Sequence, residues 1–128
     1  MKKSTKIFYL FAFISALAIG VSTLVLASPQ DSQSTVVIII PRGVGHLPYS
    51  HSFLPSYITV VIGVNNTVTW INLDDHMHTV TAYNWSFSSP ELNMYDSFTF
   101  TFTEEGEYRY RCLPHPWMEG VVKVVKKK

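Results

Sequence analysis

The stretch Gly106-Glu107-Tyr108-Arg109-Tyr110-Arg111-Cys112-Leu113-Pro114-His115-Pro116-Trp117-Met118 decides how the rest of the chain is read. Residues 107–112 alternate, with Tyr108, Tyr110 and Cys112 on one face of an extended segment and Arg109 and Arg111 on the other. Such a segment reads as a half-buried β-strand, so Cys112 points with two large aromatics toward a core or its edge. Two residues then separate Cys112 from His115, and two separate His115 from Met118. Pro114 and Pro116 flank the histidine, and each fixes its own φ and biases the residue before it toward extended backbone. The result is a short, stiff loop presenting a thiol, an imidazole and a thioether at the end of a strand.

Working outward, the chain after residue 34 shows short runs rich in Val, Ile, Thr and aromatics: Thr35–Ile40, Ser56–Ile62, Asn66–Asn72, His78–Tyr83, Ser97–Thr103, Glu107–Cys112 and Val121–Lys126. Seven candidate strands and no long amphipathic 3.6-period segment predict an all-β, antiparallel sandwich or barrel. Gly63 with Asn65-Asn66 reads as a hairpin, and Glu104-Glu105-Gly106 as a tight hairpin turn. Gly43–Pro55 and Asn84–Asn93 read as loops. Phe98, Phe100 and Phe102 share one face and Thr99, Thr101 and Thr103 the other. Trp70, Trp85, Tyr108 and Tyr110 read as core aromatics.

The chain has 128 residues, enough for one domain with its own core. Lys2, Lys3 and Lys6 precede an uncharged 21-residue run, Ile7 to Ala27, ending Val25-Leu26-Ala27. A basic start, an apolar run and a small terminal residue are the marks of an export signal. The same run, at about 1.5 Å per helical residue, would span roughly 31 Å and so serve equally as a retained membrane anchor. Both readings stand, and both put the lysines inside and the domain outside. The expected organisation is 1–27 signal or anchor, 28–34 linker and 35–128 domain. After cleavage, seven Lys or Arg would face nine Asp or Glu, a formal charge of −2. That balance, without a basic patch interleaved with aromatics, argues against nucleic acid as a partner.

Cys112 is the only cysteine, so no intrachain disulfide forms, and a lone thiol beside His115 and Met118 reads as a metal ligand. One further imidazole would complete two nitrogens, a thiolate and a weak thioether, the donor set of a blue-copper electron-transfer site. Thiolate and thioether suit Cu(I), and imidazole suits both oxidation states. Two histidines compete for the fourth place, His76 and His78, in Asp74-Asp75-His76-Met77-His78-Thr79-Val80. His46 and His51, in the Gly/Pro/Ser loop, read as surface residues, with nothing in the sequence to hold them near a metal.

Thr69-Trp70-Ile71-Asn72 leading to His78-Thr79-Val80, and then the segment 106–118, together resemble a cupredoxin, a small blue type 1 copper protein, most of all of the amicyanin and plastocyanin group. The resemblance covers about Thr35 to Val125. It implies a Greek-key sandwich or barrel of about seven to eight strands and one copper ion. Counted from Trp70 and Asn72, it selects His78 over His76, leaving His76 a solvent-facing loop residue. His78, Cys112 and His115 become the equatorial ligands and Met118 the long axial one.

The implied activity is one-electron carriage rather than enzymatic turnover, with a copper carrier or buffer as the alternative. The implied protein is an extracytoplasmic monomer, in the periplasm or at the outer face of the cell membrane, docking transiently with redox proteins around His115, Pro114, Pro116 and Trp117. Two departures from the family pattern stand out. Thr79 replaces the usual Asn after the first histidine, and Leu113 offers no hydroxyl to tie the ligand segments together. That leaves the Thr79 N–H as the expected donor to the Cys112 sulfur.

Overall fold

In the computed structural model, which describes residues 33–46 and 52–128, the alternating segments become seven strands. They are β1 (Thr35–Ile40), β2 (Tyr57–Val61), β3 (Thr67–Asn72), β4 (Thr81–Ala82), β5 (Ser97–Thr101), β6 (Gly106–Arg111) and β7 (Glu119–Val125). There is no helix among the described residues. The apolar run 7–27, most of the linker 28–34 and His51 lie outside the described residues.

The strands form two sheets, ordered β1-β3-β5 and β2-β7-β6-β4. The all-β two-sheet expectation holds, but its pairing is mixed: β1 with β3 and β2 with β7 run parallel, and the other three pairs are antiparallel. The chain changes sheet at every connection except β6 to β7. The segments 63–66 and 104–106 are therefore crossings between sheets rather than hairpins. An alternating strand has one face to bury, and two successive strands satisfy that by facing each other across the core as well as by pairing edge to edge. The turn residues are used as expected, for Gly63 has φ +78°. The buried Asn66 accepts from Gly63 N–H at 3.0 Å and donates to Phe102 O at 2.6 Å, joining the two sheets.

Strand β3 shows why the sheets pack. Val68, Trp70 and Asn72 turn inward, while Thr67 and Thr69 meet Thr101 and Thr99 through hydroxyl pairs at 2.9 and 2.8 Å on the outer face. Trp70 is fully buried among Phe87, Phe98 and Tyr110, at ring-centroid distances of 5.8, 5.8 and 5.5 Å. Truncating such a side chain to Ala costs about 3–5 kcal/mol in transfer and cavity energy. Of the aromatics read as core, Trp70 and Tyr110 are buried, and Tyr108 is half-buried against Phe102.

Trp85 is not in the core. It sits at φ +59° in the turn after β4 and is 65% exposed, because its N–H closes that turn on Ala82 O and directs the side chain outward. The two expected loops are irregular but not merely superficial. Val44 and Phe53 from the first, and Phe87 and Leu92 from the second, enter the core. The expected strand 78–83 contracts to β4, because His78 pairs with Leu92 and Val80 N–H is taken by Ser89 Oγ.

Candidate metal centre

Loop 112–118 joins β6 and β7, among the described residues the only sequential pair in one sheet, so it is a hairpin loop whose ends are fixed by the register Arg111↔Glu119. Cys112 N–H donates to Met118 O at 3.1 Å and Met118 N–H to His115 O at 2.9 Å. Cys112 and Met118 are fully buried, and His115 keeps 9% of its surface. Gly120, opposite Tyr110 in the register, has no room for a Cβ, which would collide with the Tyr110 ring. The absent side chain lets that ring fill the space between the sheets.

His78 comes from the other side. Asn72, at the end of β3, donates from Nδ2 to His76 O and Leu92 O, and its Oδ1 accepts from Asp74 N–H at 2.8 Å. That clamps the turn 73–77 and presents Asp74 inward, where its carboxylate accepts from Gly43 N–H (2.7 Å), Gly45 N–H (2.9 Å) and His78 Nε2 (2.8 Å). A carboxylate can only accept, so Nε2 carries the proton and Nδ1 is left with a free lone pair.

That Nδ1 lies 3.5 Å from Cys112 Sγ, and His115 Nδ1 lies 3.5 Å from the same sulfur. All three donor atoms fall within 4.8 Å of one another. A first-row ion at about 2.3 Å from a thiolate and 2.0 Å from an imidazole would hold those atoms roughly 3.5–3.7 Å apart. The cluster is thus spaced for one ion, and Met118 is buried on the same loop. The structure brings His78, Cys112 and His115 together and leaves His76, half-buried, on the outer side of His115 with a ring separation of 6.0 Å.

The departure at Thr79 resolves in an unexpected way. Its N–H donates to Cys112 Sγ at 3.3 Å, as the sequence suggested. The segments carrying His78 and Cys112 are also tied by a side chain: Thr79 Oγ1 accepts from Leu113 N–H at 2.9 Å. The link that Leu113 lacks a hydroxyl to make is supplied from the opposite residue, through backbone on the loop side.

Burial controls the protonation states. It pushes the Cys112 thiol up, against the opposing pull of Thr79 and His115, so ionisation calls for a cation beside the sulfur. It also pushes His78 and His115 down, with Asp74 opposing at His78 and the neighbouring imidazoles reinforcing at His115. Both rings are therefore neutral and able to ligate near neutral pH. For Asp74, burial alone would raise the pKa. The hydrogen bonds from His78, Gly43 and Gly45 outweigh it and hold the carboxyl well below the usual range.

Asp74 is the functional residue that sequence reading missed. In Asp74-Asp75-His76 it looks like part of a solvated polar turn, and its four-residue offset from His78 was the available signal.

A two-sheet β fold with two imidazoles and a thiolate gathered around one point defines a metal-binding sandwich protein whose soft donor set suits copper. Comparison with known proteins agrees. The model of the copper-binding proteins of the plastocyanin/azurin family matches residues 49–125. Amicyanin from Paracoccus denitrificans is 37% identical over 68 residues, covering 49% of this chain and 52% of that protein. Amicyanin from Paracoccus versutus is 33% identical over 73 residues. The chain spans about half the length of these curated relatives.

Among solved structures, a purple cupredoxin from Nitrosopumilus maritimus superposes with TM-score 0.64 and 36% identity, over 70% of this chain and 99% of that one. A copper-containing nitrite reductase from Thermus scotoductus shares the fold, with TM-score 0.59 and 24% identity over 23% of its length. The chain belongs to the copper-binding plastocyanin/azurin family, and its cofactor is copper.

Proposed function

We propose that the protein is an exported one-electron carrier in which His78, Cys112 and His115 would hold copper, with Met118 as a fourth, weaker donor. When bound, the metal supplies the Cu(I)/Cu(II) couple; the chain supplies a rigid, largely dry cage. The single observation that supports this most is the pair of Nδ1 atoms 3.5 Å from one buried Sγ. Three of the four donors sit on a closed hairpin loop, and the fourth is locked by Asp74. A cage held by backbone and carboxylate contacts, rather than by the ion, has little to rearrange when the charge of its occupant changes.

His115 is the donor with an edge at the surface. Around it Leu113 and Trp117 are 43% and 38% exposed, and Pro114 and Pro116 are exposed as well. Trp117 Nε1 donates to Val44 O at 3.3 Å, and its ring stands 5.2 Å from that of His115, so the indole forms a fixed apolar rim. Apolar patches of this kind mark docking surfaces, and small, transient contacts are the rule for redox partners. We assign this rim to donor and acceptor docking, and the protein to the extracytoplasmic side of a membrane as a monomer. Four protein donors leave no clearly open position, so turnover of a substrate is not expected.

The test is the visible spectrum of the purified full chain on Cu(II) addition, beside Cys112→Ser. An intense thiolate-to-copper band in the wild type, bleached by ascorbate and absent from the variant, bears the assignment out. A variant that keeps the band overturns it.

A further inference from the structure

A second group of metal-ligating side chains stands beside the copper cluster: His46, Asp75 and His76, with donor atoms within 4.8 Å of one another. His46 Nε2 lies 3.3 Å and His76 Nδ1 3.0 Å from the same oxygen, Asp75 Oδ1. Two ligands at about 2.0–2.1 Å from a tetrahedral ion stand roughly 3.3 Å apart, so these separations already approach those of a coordinated set.

The placement is built into the fold. His46 rides on the turn 42–46, whose Gly43 and Gly45 N–H groups are fastened to the buried Asp74 carboxylate. Gly45 packs so tightly that an added Cβ would fall 2.7 Å from His76 Cγ. His76 is held in turn by the Asn72 bond to its carbonyl. The His46 and His76 rings meet edge to face at 4.0 Å. Two segments thirty residues apart are thus pressed together by the same carboxylate that orients His78.

We propose that His46, Asp75 and His76 form a second metal site, open to solvent, that takes a divalent first-row ion such as Zn(II) or Cu(II). The donor set is two imidazoles and a carboxylate with no sulfur. It therefore favours the divalent ions and lacks the soft ligands that retain Cu(I). Side-chain exposures of 55, 60 and 38% leave room for water to complete the coordination. The His76 ring is 6.0 Å from that of His115, so an ion here adds positive charge on the rim of the copper centre. The site is independent of the redox reading, since none of its donors belongs to the Cys112 cluster.

Equilibrium dialysis of the full chain, copper-loaded and reduced, against Zn(II) tests the proposal, with His46→Gln and Asp75→Asn as variants and near-UV circular dichroism as the check on folding. The wild type is expected to bind one zinc more per chain than either variant, or to bind it at least tenfold more tightly. Long-range imidazole ¹H–¹⁵N spectra should show the His46 and His76 resonances moving together on zinc addition. The difference in ion count between wild type and variants stands whatever metal fills the Cys112 cluster, so failure of the copper assignment does not mimic failure here. Equal counts and affinities in all three proteins, or His46 and His76 resonances that zinc leaves unmoved, would overturn the site.

Discussion

The Asp74 carboxylate and the His78 imidazole meet at 2.8 Å with both side chains wholly buried. The same carboxylate receives two backbone N–H groups from the turn 42–46, so one residue fixes the His78 tautomer and seats a neighbouring loop. Replacing it with Ala strands three donors, the buried His78 Nε2–H and the part-buried N–H groups of Gly43 and Gly45. Asp74→Ala should destabilise the metal-free protein by roughly 3–5 kcal/mol and weaken copper binding about 10–100-fold. Asp74→Asn, which keeps one acceptor oxygen, should fall between. Urea unfolding and competition with a copper chelator measure the two effects, and a loss under about 0.5 kcal/mol for Asp74→Ala would contradict this role.

The metal-free protein should lose stability in acid in two stages. His78 and His115 are held neutral by burial, with folded pKa values below their ordinary 6.5. Below about pH 6.5 the unfolded chain therefore binds protons that the native state refuses. The slope is up to about 1.4 kcal/mol per pH unit for each proton. Asp74 has a depressed folded pKa and adds stability above its ordinary 3.8 that drains away at lower pH. Urea midpoints at pH 7.5, 6.0 and 5.0 should fall in that order. A flat series would show that the two imidazoles are not held neutral.

Thr79 carries two contacts that a mutation can separate. Thr79→Val removes the hydroxyl that accepts from Leu113 N–H but keeps the N–H to sulfur. The loss of a buried acceptor should cost about 1–3 kcal/mol while the thiolate-to-copper band persists. Thr79→Ser should restore most of that stability. Chemical denaturation of both variants, read beside their visible spectra, distinguishes the two contacts.

What the sequence made legible follows from what is local. Cys112, His115 and Met118 lie in one hairpin loop, so their spacing pointed to them as candidate donors, whereas the choice of His78 over His76 came from the family resemblance. The strands announced themselves by alternation in residues such as Phe98, Phe100 and Phe102. Which strand pairs with which was not legible. Turn signals at Gly63 and Gly106 report a reversal of direction but not whether the chain stays in its sheet. Asp74 and the meeting of His46 with His76 were hidden for a related reason. They depend on backbone donors and a glycine contact brought from the turn 42–46, and no local pattern encodes that approach. Trp85 was misread because residue type favours burial, whereas its left-handed backbone at a turn tip decides exposure.

Gly120 and Tyr110 offer a packing test. A methyl group at 120 meets the Tyr110 ring directly across the β6–β7 pair, so Gly120→Ala should cost about 1–3 kcal/mol or more. Shrinking the ring in the Tyr110→Leu background should relieve the clash. The double-mutant cycle should therefore show a coupling of about 0.5–3 kcal/mol. Strict additivity would mean that the backbone of β7 yields instead.

Repeated redox cycling separates an electron carrier from a copper carrier most directly. Copper-loaded full chain would be reduced with ascorbate and reoxidised many times in the presence of a Cu(I)-specific chelator, with bound copper and the visible band followed together. The cage described above predicts one electron per chain per cycle, full return of the band and no copper passed to the chelator. Progressive transfer of Cu(I) to the chelator, with the band fading at each cycle, would contradict electron carriage and leave metal delivery as the function.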